Sequence, residues 1–149
     1  MRSSEAKCPP KPVAAVSVAA FRGREILLIK RGHPPYAGAW SLPGGSIRWG
    51  ETAEEAARRE LAEETSLSAM SLTLADTTDV ILRNEYNEVA AHYVITVFCT
   101  SEVSGNVLAG TDASEARWFS PAELASVGLT PALETTIAKA ELALRKQGI

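Results

Sequence analysis

Apolar and polar positions alternate along much of this chain, and that pattern divides it. Residues 13–21 form a β-branched and alanine-rich run, and residues 25–30 form a second apolar run. Arg22-Gly23-Arg24 between them reads as a hairpin connection. A proline- and glycine-rich loop over 33–38 leads to a short strand at 40–42 and then to the pair Gly44-Gly45. Residues 47–49 read as extended, with Gly50 turning the chain. The period then changes. From about Thr52 to Thr65 the composition is alanine- and glutamate-rich, which favours a helix. Thr52 followed three residues later by Glu55 is a capping box at its start.

Two long strands are predicted over 72–83 and 89–100, joined by a turn at 84–87. A loop over 101–114 precedes a short strand at 116–119. Ser120-Pro121-Ala-Glu123 reads as another helix start, and a C-terminal helix is predicted over 131–147. These elements describe an α/β domain over 13–147, preceded by a polar, proline-bearing leader over 1–12 that reads as disordered. No internal repeat or second domain fits.

Within the first helix, Glu60, Glu63 and Glu64 stand at i, i+3 and i+4 and project from one face. Like charges at that spacing destabilise a bare helix by a few tenths of a kcal/mol per pair. A solvated face is the ordinary explanation for such a run, but here Ala53 and Ala56 fall inside the same arc, with Ala57 and Leu61 beside it. Glu54, Glu55, Arg58 and Arg59 take the opposite side. Carboxylates converging among small apolar residues suit a hard divalent cation, Mg²⁺ or Mn²⁺. The preceding double glycine would let a ligand or metal approach the backbone closely.

Gly45, Glu51, Arg59, Glu60, Leu61, Glu63, Glu64 and Leu67 resemble, at matching spacing, the Nudix box G-x5-E-x7-R-E-U-x-E-E-x-G-U, where U is a bulky aliphatic residue. One position departs: Ser66 stands where the pattern has glycine. A glycine there suits a left-handed helix end, so serine either bears a backbone cost of about 1 kcal/mol or the helix ends in another turn. The resemblance extends to Trp40-Ser-Leu-Pro-Gly-Gly45, Glu115-Ala-Arg-Trp118-Phe119 and Ser120-Pro-Ala-Glu-Leu124. It implies an α/β/α sandwich with a mixed sheet between helices. It also implies hydrolysis of a nucleoside diphosphate linked to another group X.

On that resemblance Glu60, Glu63 and Glu64 are expected to be catalytic and to hold the metal, with a backbone carbonyl of Gly44 or Gly45 completing the shell. Arg59 and Glu51 are expected to pair and brace the loop against the helix, with Arg59 pointing about a quarter turn away from the glutamates. The general base is open between Glu60 or Glu63 and a later loop carboxylate, Glu115 or Asp112. Arg31 and Arg48 are candidates for phosphate contacts, and Trp49 and Tyr36 for stacking on a base or ribose. Trp40 and Trp118 read as core, and His33 as a solvated loop residue. Alternation sends His92 and Tyr93 to opposite faces, with His92 structural.

The overall look is similar to the small bacterial ADP-ribose pyrophosphatase-like group, for which the products would be AMP and ribose 5-phosphate. Two other readings stand beside it: a nucleoside triphosphate pyrophosphohydrolase of MutT type, acting on canonical or oxidised nucleotides, and a non-catalytic sensor of nucleotide sugars. A formal charge of −3 without a dense basic patch argues against a nucleic-acid polymer as partner. No apolar stretch approaches the roughly 20 residues that span a membrane. Two cysteines, Cys8 and Cys99, lack a second ligand at metal spacing and fit a reduced, cytoplasmic setting. The expected partner is a small nucleotide, and the resemblance adds a homodimer as a candidate assembly.

Overall fold

β1 (Val13–Arg22) is the strand around which the domain is organised. In the computed structural model, which describes residues 10–33, 37–110 and 113–147, every apolar position from Ala15 to Phe21 is buried. Burial on both faces is what a near-continuous apolar run in a central strand requires. One edge of β1 pairs in parallel with β7 (Val89–Thr100) from Val13↔Tyr93 to Ala20↔Thr100. The other edge is shared. β4 (Gly44–Ser46) takes its beginning, at Ala15↔Ser46, and β2 (Glu25–Arg31) takes its end through the hairpin at Gly23. β2 also carries β3 (Trp40–Ser41) and β9 (Ala113–Phe119), while β6 (Thr73–Arg83) lies outside β7. β1–β7 is parallel and the other pairs are antiparallel, so the sheet is mixed.

The helices cover both faces. α1 (Ala53–Thr65) sets Ala56, Ala57 and Leu61 against Val16, Val18, Ala20, Leu27 and Phe98. On the opposite face α3 (Pro131–Arg145) sets Ile137 and Ala140 against Ala19, Phe21, Ile26, Leu28, Val97 and Cys99. α2 (Pro121–Val127) closes that side with Leu124 and Val127. The expected α/β/α sandwich is therefore the fold. Leu61 is fully buried, and removing its side chain to alanine would cost about 2–5 kcal/mol.

The long elements follow the pattern read from the sequence, and the differences are short-range. Residues 47–49 belong to no strand; the chain turns at Trp49-Gly50. β9 begins at Ala113 rather than 116, because Arg31 pairs with Ala113 across a bulge. A two-stranded ladder, β5 (Ser68–Ala69) with β8 (Val103–Ser104), was not foreseen. Two residues per strand carry no periodicity, so only the meeting of the two loops defines it.

Both ends of α1 are closed by named groups. Thr52 Oγ1 accepts from Glu55 N–H at 3.0 Å, and Glu55 Oε1 accepts from Thr52 N–H at 2.8 Å. At the other end Ser66 is left-handed, with φ 68° and ψ 12°. The departure from glycine therefore keeps the turn that a glycine would make. The last carbonyls are satisfied from afar: Leu108 N–H donates to Thr65 O at 2.9 Å and Gly110 N–H to Glu64 O at 3.1 Å. Gly110 must be a glycine in this arrangement, since a Cβ would lie 1.5 Å from Glu63 O.

Candidate active site

The glutamate face of α1 meets β4 where the sheet has no side chains. Glu60 and Glu64 are 8% and 5% exposed, which is unusual for carboxylates and requires polar partners. Gly44 N–H donates to Glu64 Oε1 at 2.7 Å. A Cβ on Gly45 would sit 2.6 Å from the Glu60 carboxyl group, and one on Gly44 would sit 2.1 Å from Val16 O. Each glycine thus has its own reason: Gly44 lets β4 pair with β1, and Gly45 lets a carboxylate press against the strand. The mixed face of alanines and glutamates read from the sequence is what makes this packing work.

Arg59 departs from its expected place. Its Cα does lie off the glutamate arc, but the side chain is long enough to return. Nε and Nη2 donate to the two Glu51 oxygens at 2.7 and 2.9 Å, and Nη2 also donates to Ser46 O at 3.0 Å. Nη1 donates to Glu60 Oε1 at 2.7 Å and to Glu63 Oε1 at 3.2 Å. With Arg59 and Glu51 side chains only 16% and 15% exposed, this is a largely buried fork rather than a surface pair. The Arg59 guanidinium holds the Glu51 carboxyl down at about 2, aided by the Arg48 N–H. In return Glu51, then Glu60, raises the Arg59 pKa further above its ordinary value.

Glu63 is the outermost of the three, with its side chain 41% exposed. Its second oxygen, Oε2, faces Arg48 Nη2 at 3.6 Å. Among the described residues, no three acidic, histidine or cysteine side chains are drawn together as a coordination shell. Each glutamate turns instead to a donor: Glu64 to Gly44, Glu60 to Arg59, Glu63 to both arginines. The oxygen donor set and the Gly45 cradle fit a hard cation, and drawing the three carboxylates onto it would exchange these partners.

From Glu60 and Glu64 a cleft of about 710 Å³ runs across the α3 side of the sheet. Ser17, Ile29, Leu42, Val80, Tyr93 and Val97 line it, together with Thr130, Ala132, Leu133 and Thr136 from the start of α3. Tyr93 lines the cleft and His92 does not, although His92 Nε2 stands 3.8 Å from Oδ1 of Asp79, a lining residue. Tyr93, Thr130 and Thr136 had no signal in the sequence as site residues, because only the docking of α3 over β6 and β7 brings them there.

The remaining candidates divide. Arg31 lines the cleft, and so does His33 from the loop. Trp40 both packs on Phe119, ring centroids 4.8 Å apart, and borders the cleft, so it is not purely core. Trp118 packs against the α1-side core. Trp49 is fully exposed in its turn and is no part of the cleft lining. Glu115 lies on β9 opposite Lys30, with Lys30 Nζ 3.6 Å away, and is likewise not in the lining. Tyr36, Asp112 and the leader over 1–9 with Cys8 lie outside the described residues.

Comparison with known proteins agrees with this architecture. A MutT NUDIX hydrolase from Burkholderia pseudomallei superposes with a TM-score of 0.76 at 31% identity, covering 87% of this chain and 98% of that one. An ADP-ribose pyrophosphatase from Methanocaldococcus jannaschii is 36% identical over 108 residues, 72% of this chain but 62% of that protein. The match thus spans about three fifths of that relative's length. A protein of Mycobacterium tuberculosis named "Putative 8-oxo-dGTP diphosphatase 2" is 35% identical over 119 residues, 78% of this chain and 79% of that one. The NUDIX domain model matches residues 11–140. With the box residues gathered between β4 and α1 and a family match over most of its length, the chain belongs to the NUDIX domain family.

Proposed function

We propose that this protein hydrolyses the pyrophosphate bond of a nucleoside diphosphate linked to another group X, with ADP-ribose the leading candidate. The observation that carries the reading is the pair of buried carboxylates, Glu60 and Glu64, opening beside Gly44 and Gly45 into a cleft large enough for a nucleotide. In this reading Glu60, Glu63 and Glu64, with the Gly45 carbonyl, hold Mg²⁺ or Mn²⁺. The ion, when bound, neutralises phosphate oxygens and makes water a better nucleophile. Arg59 and Glu51 keep β4 and α1 in register so that the carboxylates stay aimed. A carboxylate of the same face, Glu60 or Glu63, takes the proton of the attacking water. Glu115 is the weaker candidate, since its partner is Lys30 on another part of the sheet. Arg31, at the cleft wall, and Arg48, outside the cleft lining but paired with Glu63, are assigned to phosphate contacts. Trp49 is left without a substrate role.

The Methanocaldococcus jannaschii relative, named an ADP-ribose pyrophosphatase, supports ADP-ribose; hydrolysis of its pyrophosphate bond would give AMP and ribose 5-phosphate. The mycobacterial relative supports an oxidised nucleoside triphosphate as a second reading. A reduced cytoplasmic setting fits Cys99, a free and buried thiol. Among the described residues no helix is long and apolar enough to cross a membrane. The homodimer implied by resemblance is part of the proposal and is tested by light scattering. For the activity, the test is phosphate release, with coupled phosphatases, from ADP-ribose, NADH, nucleotide sugars, dinucleoside polyphosphates and canonical or oxidised triphosphates. One dominant substrate decides between the two enzymatic readings. Silence across the panel, with binding still visible as a thermal shift, replaces both with a sensor.

A further inference from the structure

We propose that Arg48 is a movable counter-ion of Glu63: it holds that carboxylate while no cation is bound and turns to a substrate phosphate when one is. The inference rests on the reading of Glu63 as a ligand and assigns a second task to a residue that the box pattern leaves undefined. Glu63 presents one oxygen to each of two arginines, Oε1 to Arg59 at 3.2 Å and Oε2 to Arg48 at 3.6 Å. A cation that takes Glu63 as a ligand competes with these guanidinium groups for the same two oxygens.

The two are not held alike. Arg59 is a largely buried fork engaging Glu51, Glu60 and Ser46 O as well, so moving it would break several charge-assisted bonds. Arg48 reaches Glu63 across a long contact, with side chains 66% and 41% exposed, and such a pair contributes little stability. Arg48 is therefore the group that leaves. Its backbone does not leave with it. Arg48 N–H donates to Glu51 Oε1 at 3.0 Å, and Arg48 O accepts from Glu51 N–H at 3.0 Å. The displaced guanidinium stays tethered beside Glu63, and its planar fork suits a phosphate oxygen pair.

The test is calorimetric titration of Mn²⁺ into the wild type, Arg48→Gln, Glu63→Gln and the double variant. Arg48→Gln is expected to tighten Mn²⁺ binding roughly two- to fivefold, the range that an exposed ion pair supports, and to have no effect once Glu63 is Gln. With the substrate found in the panel, the same variant should raise KM by a larger factor than it changes kcat. An equal gain in Mn²⁺ affinity in both backgrounds would mean a general charge effect and overturn the proposal. Unchanged Mn²⁺ affinity in Arg48→Gln, while Glu63→Gln weakens binding as expected, overturns the counter-ion role alone. Unchanged affinity in Glu63→Gln overturns the ligand reading beneath it.

Discussion

Arg58 and Arg59 are adjacent in sequence, alike in chemistry, and end in different environments. Arg58 pairs with Glu54 at 3.1 Å, both side chains about half exposed, and reaches the Ala69 carbonyl. Arg59 is mostly buried and ties together Glu51, Glu60, Glu63 and the β4 backbone. One residue of helical rotation, about 100°, is the whole difference in local geometry. What lies beyond differs more. Arg58 faces the short β5–β8 ladder and solvent, whereas Arg59 faces a strand of glycines with acidic groups on three sides. The same side chain is thus a surface ornament in one direction and a structural clamp in the other, depending on how many partners burial forces it to satisfy.

Replacing Glu63 by Gln on the Arg59 side should lower turnover at saturating Mg²⁺ by roughly a hundredfold or more, with the fold intact by circular dichroism. Glu54→Gln on the Arg58 side should leave turnover unchanged; equal losses in both would remove the distinction. Arg59→Leu should destabilise the protein by about 2–4 kcal/mol in urea, because it removes the guanidinium that three clustered carboxylates share. Arg58→Leu should cost at most about 1 kcal/mol.

A titration sharpens the same contrast. The Glu51 carboxyl is held at about 2, from an ordinary 4.5, chiefly by the Arg59 guanidinium. A folded pKa below the unfolded one stabilises the protein above about 4.5, and that contribution is lost as pH falls toward 2. Stability of the wild type should therefore fall more steeply over that window than stability of Glu51→Gln. Parallel slopes would show that the clamp does not couple folding to this carboxylate. The smallest effect is expected at the end of α1. Ser66→Gly should stabilise by up to about 1 kcal/mol, since Ser66 occupies a left-handed conformation and its Oγ reaches Leu108 O only at 3.5 Å. A clear loss of stability would mean that this long contact matters more than the backbone cost.

Much of the site was legible in the sequence for a physical reason. Glu60, Glu63 and Glu64 share one helix face by their spacing, while Arg59 and Glu51, the latter just before the capped start of α1, stand out through the box resemblance. The burial of Glu60 and Glu64 was also foreshadowed, because alanines share their face. The direction of Arg59 was misjudged, since a helical wheel locates Cα and Cβ but not the reach of a long side chain. Of the non-local parts, Arg31 was a candidate from the sequence, but the wall formed by β6, β7 and α3 had no signal there. Tyr93, Val80, Thr130 and Thr136 come from a strand pair and a helix far apart in the chain and meet only across the cleft. Trp40 reads as core from its type, and in the fold it packs on Phe119 and also borders the cleft.

By itself, then, the sequence determined the helices and main strands, the capped start of α1 and the carboxylates that share its face. Those depend on periodicity and neighbours within a few residues. The tertiary structure decided what each carboxylate touches, which arginine is clamped and which is loosely held, and how β6, β7 and α3 wall the cleft. Those depend on strand register and on the docking of α3, which no short window of residues encodes.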